Sequence, residues 1–242
     1  MKYGIRIGDV TLKNKGLIAT IIFGLLTAGM TAAVKFYDVA AIGPAGTSVG
    51  FSTLNKQFAD YAGVNMFWFN LAEILGLVII AICAVFAVMG LVQWIKRRNL
   101  LKVDSNILVL GGMYLLVFLL YVLFTKVAIC YRPVLMEGEA FPEPSFPSSH
   151  TMMACVVLMG AILQLKYYID KKAVRVILTI VMLAIMMLTV YARLMSGAHW
   201  MTDIIAALLY SFTLVSIYCA VMNAVGRKDY SGTSKDVYVP KH

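Results

Sequence analysis

Two histidines and three basic residues stand at the ends of apolar segments, where they could act together on an anion. His150 and His199 each begin an apolar segment, whereas Lys126, Arg132 and Arg193 end or follow such segments. Charged groups at membrane depth are costly and usually face a protein interior. Three cations at one membrane face without an equal number of acids therefore indicate an anion site, and a phosphate group fits it.

His199 and Asp203 have a spacing that suits nucleophilic chemistry. Residues i and i+4 lie on one face of a helix. An aspartate in that position can accept a hydrogen bond from one imidazole nitrogen, so that the other nitrogen keeps its lone pair. It can also stabilise the positive charge that forms on the ring when the ring attacks. A polar pair that only packs two helices would have the same spacing. His150 and the three cations at the same depth favour the catalytic interpretation.

The segment Pro147-Ser148-Ser149-His150 predicts the start of a helix. Serine is a strong N-cap, and proline is suited to the end of the preceding loop. The free backbone N–H groups at a helix start bind phosphate oxygens readily. His150 would then lie where it can protonate a leaving alkoxide.

The composition indicates a membrane protein. Hydrophobic residues make up 61% of the 242 residues and charged residues only 14%, against about a quarter charged in soluble domains. The net charge of +9 could suggest nucleic-acid binding. The basic residues lie between apolar segments, however, and zinc-finger spacing is absent, so no nucleic-acid partner is expected. The four cysteines form no C-x-x-C pair and predict neither a metal site nor a disulfide framework.

Six segments are long and apolar enough to span a bilayer, which takes about 20 residues. They lie at about 16–34, 66–95, 106–125, 149–165, 174–192 and 199–221. The first is longer than the apolar core of a signal peptide and is expected to remain as a span. Residues 51–61 predict a short amphipathic helix at the interface. The predicted fold is an all-α bundle of six transmembrane helices, with a membrane domain over 1–226 and a polar cytoplasmic tail over 227–242.

The basic residues also predict the orientation of the bundle. Sixteen of the 21 lysines and arginines fall on the side of the two termini. The other five are Lys35, Lys56, Lys126, Arg132 and Arg193. Basic residues are enriched in cytoplasmic segments. Both termini are therefore expected in the cytoplasm, and the anion site at the extracytoplasmic face of the cell membrane.

Taken together, the candidate residues resemble the signature of the type 2 phosphatidic acid phosphatase superfamily. That signature reads K-x6-R-P, then P-S-G-H, then S-R-x5-H-x3-D. The matching residues are Lys126-x5-Arg132-Pro133, Pro147-Ser148-Ser149-His150 and Ala192-Arg193-x5-His199-x3-Asp203. The first spacing is one residue short, Ser149 replaces a glycine, and Ala192 replaces a serine. On a helix i+6 lies about 120° from i, whereas i+7 returns to nearly the same face. Arg132 precedes Pro133 and is therefore expected outside the helix that ends near Lys126, which would absorb this shift.

The resemblance implies a role for each matching residue. The residues expected to bind phosphate are Lys126, Arg132, Ser148, Ser149 and Arg193. His199 would attack phosphorus and form a phosphohistidine, Asp203 would orient it, and His150 would protonate the leaving group. The resemblance implies no metal and no cofactor.

The function expected from these residues is hydrolysis of a lipid phosphate or lipid pyrophosphate. Phosphatidic acid, phosphatidylglycerol phosphate and polyprenyl pyrophosphate are the substrate classes considered, and the bilayer is the partner. A phosphotransferase that passes phosphate to a lipid or sugar hydroxyl is the alternative. An anion channel would need a polar path, and the inner halves of the spans carry few ionisable residues. The oligomeric state stays open.

Four acidic residues near the outer face remain to be placed. Glu73 lies inside the second span, where it could pair with a cation of the site or face water. The other three, Glu137, Glu139 and Glu143, are interpreted as a solvated acidic loop.

Overall fold

The computed structural model describes residues 7–135 and 139–231, which form helices and two isolated β-bridges but no strand. The α-helices are α1 (Ile7–Phe36), α2 (Ser52–Ala62), α3 (Met66–Arg97), α4 (Ser105–Lys126), α5 (Ser149–Tyr168), α6 (Lys172–Met195) and α7 (Met201–Ser231). Short 3-10 helices occur at Pro44–Gly46 and Leu100–Lys102. The predicted all-α fold is confirmed. The predicted tail from residue 227 begins inside α7, and residues beyond Ser231 lie outside the described part of the chain.

Six of these helices are long and apolar enough to cross a membrane, and the short α2 precedes the second of them. This agrees with the six predicted spans and the predicted interfacial helix. Several helices extend past the predicted bounds at their basic ends, as α3 does to Arg97 and α5 to Tyr168. Lysine and arginine can lie at a helix end because their long stems reach the polar interface.

Helix α5 lies at the centre of the bundle. In its apolar window 61% of the residues are buried, against 6–33% in the other five spans. It contacts α3, α4, α6 and α7, while α1 packs along α7. Small residues such as Ala154, Gly160 and Ala161 let neighbouring helices approach closely. Its first turn is therefore surrounded by other helices, and Ser149 and His150 there are partly buried.

A polar network ties α4, α5 and α7 together far from the first turn of α5. Gln164 is fully buried and accepts a hydrogen bond from Asn106 Nδ2 at 2.7 Å. Its own amide donates to the Asn106 carbonyl at 3.0 Å and to the Tyr218 hydroxyl at 2.9 Å. Because buried polar groups are costly without partners, this network fixes how the three helices align.

Helix α2 is attached to the start of α7 through buried Asn55. Asn55 Nδ2 donates to the Thr202 hydroxyl at 2.9 Å, and Thr202 N–H donates to Asn55 Oδ1 at 3.2 Å. The start of α2 is also held by Asp38, in the segment between α1 and α2. The Asp38 carboxylate accepts from Thr53 N–H and from the Ser52 hydroxyl, both at 2.9 Å. These donors lower the pKa of Asp38. The predicted interfacial helix is thus fixed beside the end of the bundle that carries the histidines.

Candidate active site

The candidate residues meet at the end of the bundle where α3, α5 and α7 begin and α4 and α6 end. A cavity of about 190 Å³ opens there. Its polar lining includes Arg132, Glu143, Ser149, His150 and His199. Its apolar wall comes mainly from α4 and the following loop, with Leu120, Phe124 and Phe146 among the contributors. The structure therefore brings residues from all three parts of the sequence signature to one cavity.

Arg132 lies in an extended loop after α4. It is therefore outside the helix, as predicted. Its N–H donates to the Glu143 carbonyl at 2.9 Å, and Ser145 N–H donates to the Cys130 carbonyl at 2.9 Å. Two short segments thus run antiparallel and carry Arg132 to the cavity. Its guanidinium also pairs with the Glu143 carboxylate at 3.0 Å. The Glu143 side chain is half exposed, as the solvated interpretation predicts, but it also pairs with a cation of the site.

The imidazole of His199 has a tautomer that the structure identifies. Nδ1 lies 3.1 Å from the Ser145 carbonyl oxygen and 3.5 Å from Asp203 Oδ2. A carbonyl oxygen can only accept, so Nδ1 carries the proton and Nε2 holds the lone pair. His199 Nε2 is buried and has no hydrogen-bond partner among the described residues. A buried nitrogen lone pair beside an open cavity is available to attack an electrophile.

Asp203 supports His199 from the first turn of α7, but not by the predicted helical relation. Helix α7 begins at Met201, so His199 lies before the helix and not on it. Asp203 Oδ2 accepts from Trp200 N–H at 3.0 Å, which satisfies a donor at the helix start in the manner of a capping box. Trp200 Nε1–H in turn donates to the Tyr131 carbonyl at 2.7 Å. One carboxylate oxygen thus fixes the turn and lies near the imidazole.

His199 is surrounded by groups that keep its ring neutral. Burial, followed by the positive charges of Arg193 and Arg132, lowers the pKa of His199 well below its usual 6.5. The lowered pKa leaves the ring uncharged near neutral pH, as a nucleophile requires. His199 also lines a second cavity of about 360 Å³, bounded partly by Lys56 and Asp60 of α2.

His150, Arg193 and Glu73 form a closed set of contacts between α5, α6 and α3. Arg193 Nη1 donates to Glu73 Oε1 at 3.0 Å, and Arg193 Nη2 donates to His150 Nδ1 at 2.9 Å. An arginine can only donate, so Nδ1 is the acceptor and the His150 proton lies on Nε2. That Nε2–H donates to Glu73 Oε2 at 3.2 Å. Of the two predicted roles for Glu73, the structure supports pairing with a cation of the site.

Close packing against α3 holds this set in place. The His150 ring lies over Gly76, where an added Cβ would come within 3.3 Å of His150 Cδ2. The Arg193 guanidinium lies over the Phe69 ring, 5.2 Å from its centroid. Arg193 is 1% exposed. Its side chain therefore has a fixed position beside His150.

Three further predicted residues have different positions. Ser148 caps α5 and is fully buried, with its hydroxyl donating to Thr151 Oγ1 at 3.1 Å. Ser149 follows it and lines the 190 Å³ cavity, whereas Ser148 does not. Lys126 is exposed at the end of α4 and does not line that cavity. Phosphate binding by Lys126 and Ser148 stays a prediction.

The turn between α6 and α7 needs a glycine. Gly197 has φ +72°, a left-handed conformation that favours glycine, and an added Cβ would collide with the Gly63 carbonyl. The adjoining Asn65 N–H donates to the Ser196 carbonyl at 3.1 Å. This contact holds the start of α3 against the segment that carries His199.

Comparison with known proteins bears directly on these residues. The PAP2 superfamily matches the chain over residues 77–227, a range that contains the whole signature from Lys126 to Asp203. The chain belongs to the PAP2 superfamily. The resemblance seen in the sequence is thereby confirmed, and Glu73 lies just before the matched range. No curated protein sequence matches the chain.

One solved structure shares this PAP2 fold. It is described as the first transmembrane PAP2-type phosphatidylglycerolphosphate phosphatase from Bacillus subtilis. The two chains are 15% identical, and the TM-score is 0.58. The alignment covers 85% of this chain and 96% of the other. At this identity the likeness concerns the fold, and it agrees with the predicted six-span bundle.

The sequence did not indicate two of the groups that shape the site. The Ser145 carbonyl holds His199, but a backbone carbonyl leaves no signal in residue type. Glu143 was visible as an acid, yet only the pairing of residues 130–132 with 143–145 places it on Arg132. Glu73 did give a signal, because a carboxylate inside a predicted span is a functional candidate.

Proposed function

We propose that this PAP2 protein is a membrane phosphatase that hydrolyses a lipid phosphate or lipid pyrophosphate through a phosphohistidine. The observation that carries the proposal is the state of His199. Its Nε2 lone pair is buried and has no partner among the described residues, in a side chain that lines the same cavity as Arg132, Ser149 and His150. Nucleophile, cations and a proton donor are the parts that phosphoryl transfer requires.

The reaction would proceed in two balanced steps. In the first, His199 Nε2 bonds to phosphorus, the bond from phosphorus to the leaving oxygen breaks, and His150, as an imidazolium, gives that oxygen a proton and becomes neutral. In the second, water attacks the phosphorus of the phosphohistidine and gives a proton to His150. The bond from phosphorus to His199 Nε2 breaks, inorganic phosphate leaves, and the lone pair of His199 Nε2 is restored. Arg132 and Arg193 would stabilise the charge on the phosphoryl oxygens. Asp203 would stabilise the positive ring during the first step.

The membrane setting supports a lipid substrate and an extracytoplasmic site. Six apolar helices can cross the bilayer, and the cavity lies at one end of them. The end of the bundle with fewer basic residues carries the site, which the positive-inside rule assigns to the outer face. A water-soluble phosphomonoester that cannot cross the membrane should therefore be hydrolysed by intact cells. Hydrolysis that required permeabilised cells would place the site on the other face.

The central experiment is phosphate release by the detergent-solubilised protein. Phosphatidic acid, phosphatidylglycerol phosphate and polyprenyl pyrophosphate are supplied separately, and the His199→Ala variant is the control. We expect release from at least one substrate, retention of activity in EDTA and loss of about 10³-fold or more in the variant, because the nucleophile is absent. Release that is unchanged by His199→Ala would contradict the proposal, as would no release from any substrate.

The same experiment separates hydrolysis from phosphotransfer. With a substrate labelled at its terminal phosphate, hydrolysis gives labelled inorganic phosphate. Label found on an added lipid or sugar alcohol would identify a phosphotransferase. The proposed phosphatase predicts that the label appears in solution even when such alcohols are supplied.

A further inference from the structure

A third cavity lies at the opposite end of the bundle from the candidate active site. It has a volume of about 510 Å³ and lies between the end of α3 and the start of α4. Its α3 wall runs from Cys83 to Trp94, and its α4 wall runs from Ile107 to Tyr114. None of the described residues that line it is charged. We call this cavity the α3–α4 groove.

The α3–α4 groove is open on the side of the bundle that the bilayer covers. On its α3 wall, Leu91 and Trp94 are 49% and 48% exposed. On its α4 wall, a Cβ added at Gly111 would have no atom within 4 Å. Helices α3 and α4 are both apolar enough to span the membrane, so lipid surrounds this opening. An empty groove would forfeit dispersion contacts, and an acyl chain can supply them.

The length of the groove matches one leaflet of a bilayer. Trp94 follows Cys83 by eleven residues on α3, which corresponds to about 17 Å at 1.5 Å per residue. The hydrocarbon core of a bilayer is about 30 Å thick, so one leaflet contributes roughly 15 Å. An acyl chain that enters from the lipid head groups near Trp94 would therefore run along the whole groove.

The end of the groove near Trp94 carries two exposed basic residues. Arg98, directly after α3, follows Trp94 by four residues, and Lys102 directly precedes Val103 of the groove lining. Both basic side chains are exposed, and neither forms an ion pair within the described part of the chain. The mouth of an apolar groove therefore carries positive charge.

The turn that carries these cations has a fixed shape. Arg97 pairs with Asp104 at 2.7 Å and also donates to the Lys102 carbonyl. Gln93 Nε2 donates to Asp104 Oδ2 at 2.8 Å, and Asp104 N–H donates to Gln93 Oε1 at 2.9 Å. Since Asp104 is neutralised by Arg97, it leaves the charges of Arg98 and Lys102 uncompensated.

We propose that the α3–α4 groove binds an anionic glycerophospholipid from the leaflet on the side of the chain termini. One acyl chain would lie in the groove, and the phosphate would lie at Arg98 and Lys102. The positive-inside rule assigns this leaflet to the cytoplasm, where basic pockets between spans suit anionic head groups. A second copy of the chain fits less well, because a two-fold dimer over the groove would bring two identical basic mouths together. The proposed lipid site is separate from the active site and goes beyond the phosphatase function.

The indole of Trp94 allows a direct test, because it lines the groove at its mouth. The full chain is placed in nanodiscs of phosphatidylcholine that contain a small fraction of one lipid with brominated acyl chains, which quench nearby indoles. That lipid is either phosphatidylglycerol or phosphatidylcholine. Subtraction of the same protein with Trp94→Phe removes the signals of Trp68 and Trp200. We expect phosphatidylglycerol to quench Trp94 several times more than phosphatidylcholine does, and this quotient is the selectivity ratio.

Charge variants test the head-group end of the site. Arg98→Gln and Lys102→Gln should each lower the selectivity ratio about fivefold, which corresponds to about 1 kcal/mol per basic residue at an anionic membrane surface. Lys96→Gln is the matched control, because Lys96 is exposed at the same end of α3. It lies two residues from Trp94, about 200° around the helix, and should leave the ratio unchanged.

Two adjacent glycines of α4 test the acyl-chain end of the site. Gly111 lines the groove, whereas Gly112 does not. At both positions an added Cβ would have no atom within 4 Å, so we expect Gly111→Leu and Gly112→Leu to fold, and thermal unfolding checks this. Gly111→Leu fills the groove and should lower the selectivity ratio toward one. Gly112→Leu should leave it unchanged.

Four results would overturn the proposal. They are equal quenching by the two lipids in the wild type, equal effects of Lys96→Gln and Arg98→Gln, an unchanged ratio in Gly111→Leu, and no quenching of Trp94 by either lipid. The second result would show only diffuse attraction to the surface. The fourth would show that protein covers the groove, and light scattering would identify a second copy. Because the test needs no turnover, its outcome is independent of whether the protein is a phosphatase.

Discussion

Replacement of Asp203 by asparagine separates the charge of this residue from the orientation of His199. In a Ser-His-Asp triad the aspartate both holds the tautomer and stabilises the imidazolium, and its loss to asparagine costs about 10⁴ in kcat. Here the Ser145 carbonyl already accepts from His199 Nδ1 at 3.1 Å. That carbonyl is unaffected by the substitution. We therefore expect Asp203→Asn to keep the tautomer and remove only the negative charge.

The distance between the two groups sets the size of the effect. Asp203 Oδ2 lies 3.5 Å from His199 Nδ1. Two unit charges at that distance interact by about 5 kcal/mol at an effective dielectric constant of about 20. If about half of a unit charge develops on the ring in the transition state, the loss is ~2.5 kcal/mol. This corresponds to a decrease in kcat of roughly a hundredfold.

The assay is the initial rate of phosphate release at pH 8 from solubilised protein. His199→Ala gives the floor, and Asp170→Asn, an exposed aspartate between α5 and α6, is the matched control. The asparagine oxygen can still accept from Trp200 N–H, so we expect the variant to fold. A thermal unfolding transition like that of the wild type checks this. A loss of less than threefold would show that the charge of Asp203 is not used. A loss as complete as that of His199→Ala would show that the carbonyl does not hold the tautomer.

Two further predictions concern stability. The pKa of His199 in the folded protein lies well below 6.5. As the pH falls below about 6.5, the unfolded chain therefore binds a proton at this residue that the folded protein does not bind. The free energy of unfolding should then decrease by up to about 1.4 kcal/mol per pH unit. Melting temperatures between pH 7 and 5 should therefore fall more steeply for the wild type than for His199→Ala, and equal slopes would contradict the lowered pKa. Gln164→Leu should lower the free energy of unfolding by about 3 kcal/mol, because Asn106 Nδ2, the Asn106 carbonyl and the Tyr218 hydroxyl each lose one buried hydrogen bond. Denaturation in detergent measures this loss. The rate of phosphate release below the melting temperature should change little. Equal stability of the variant and the wild type would refute the role of this network.

Much of the fold could be predicted from the sequence. The spans follow from runs of about 20 apolar residues, and the predicted orientation follows from where lysine and arginine are placed between them. Both are properties of consecutive residues. The boundary of α7 was less accessible, because the sequence pattern does not reveal that the chain turns at Trp200 and starts the helix only at Met201.

The sequence by itself predicted most residues of the candidate site, since their types and spacing form the signature of one family. Only the tertiary structure decided how these residues are paired. Arg193 and Glu73 are 120 positions apart, and His199 and Ser145 are 54 apart. Their contacts depend on which helices pack together at one end of the bundle. The position of the proton on His199 depends on the Ser145 backbone carbonyl, which leaves no signal in residue type. The pairing of Arg193 with Glu73 and of Arg132 with Glu143 depends on distances that no local pattern encodes.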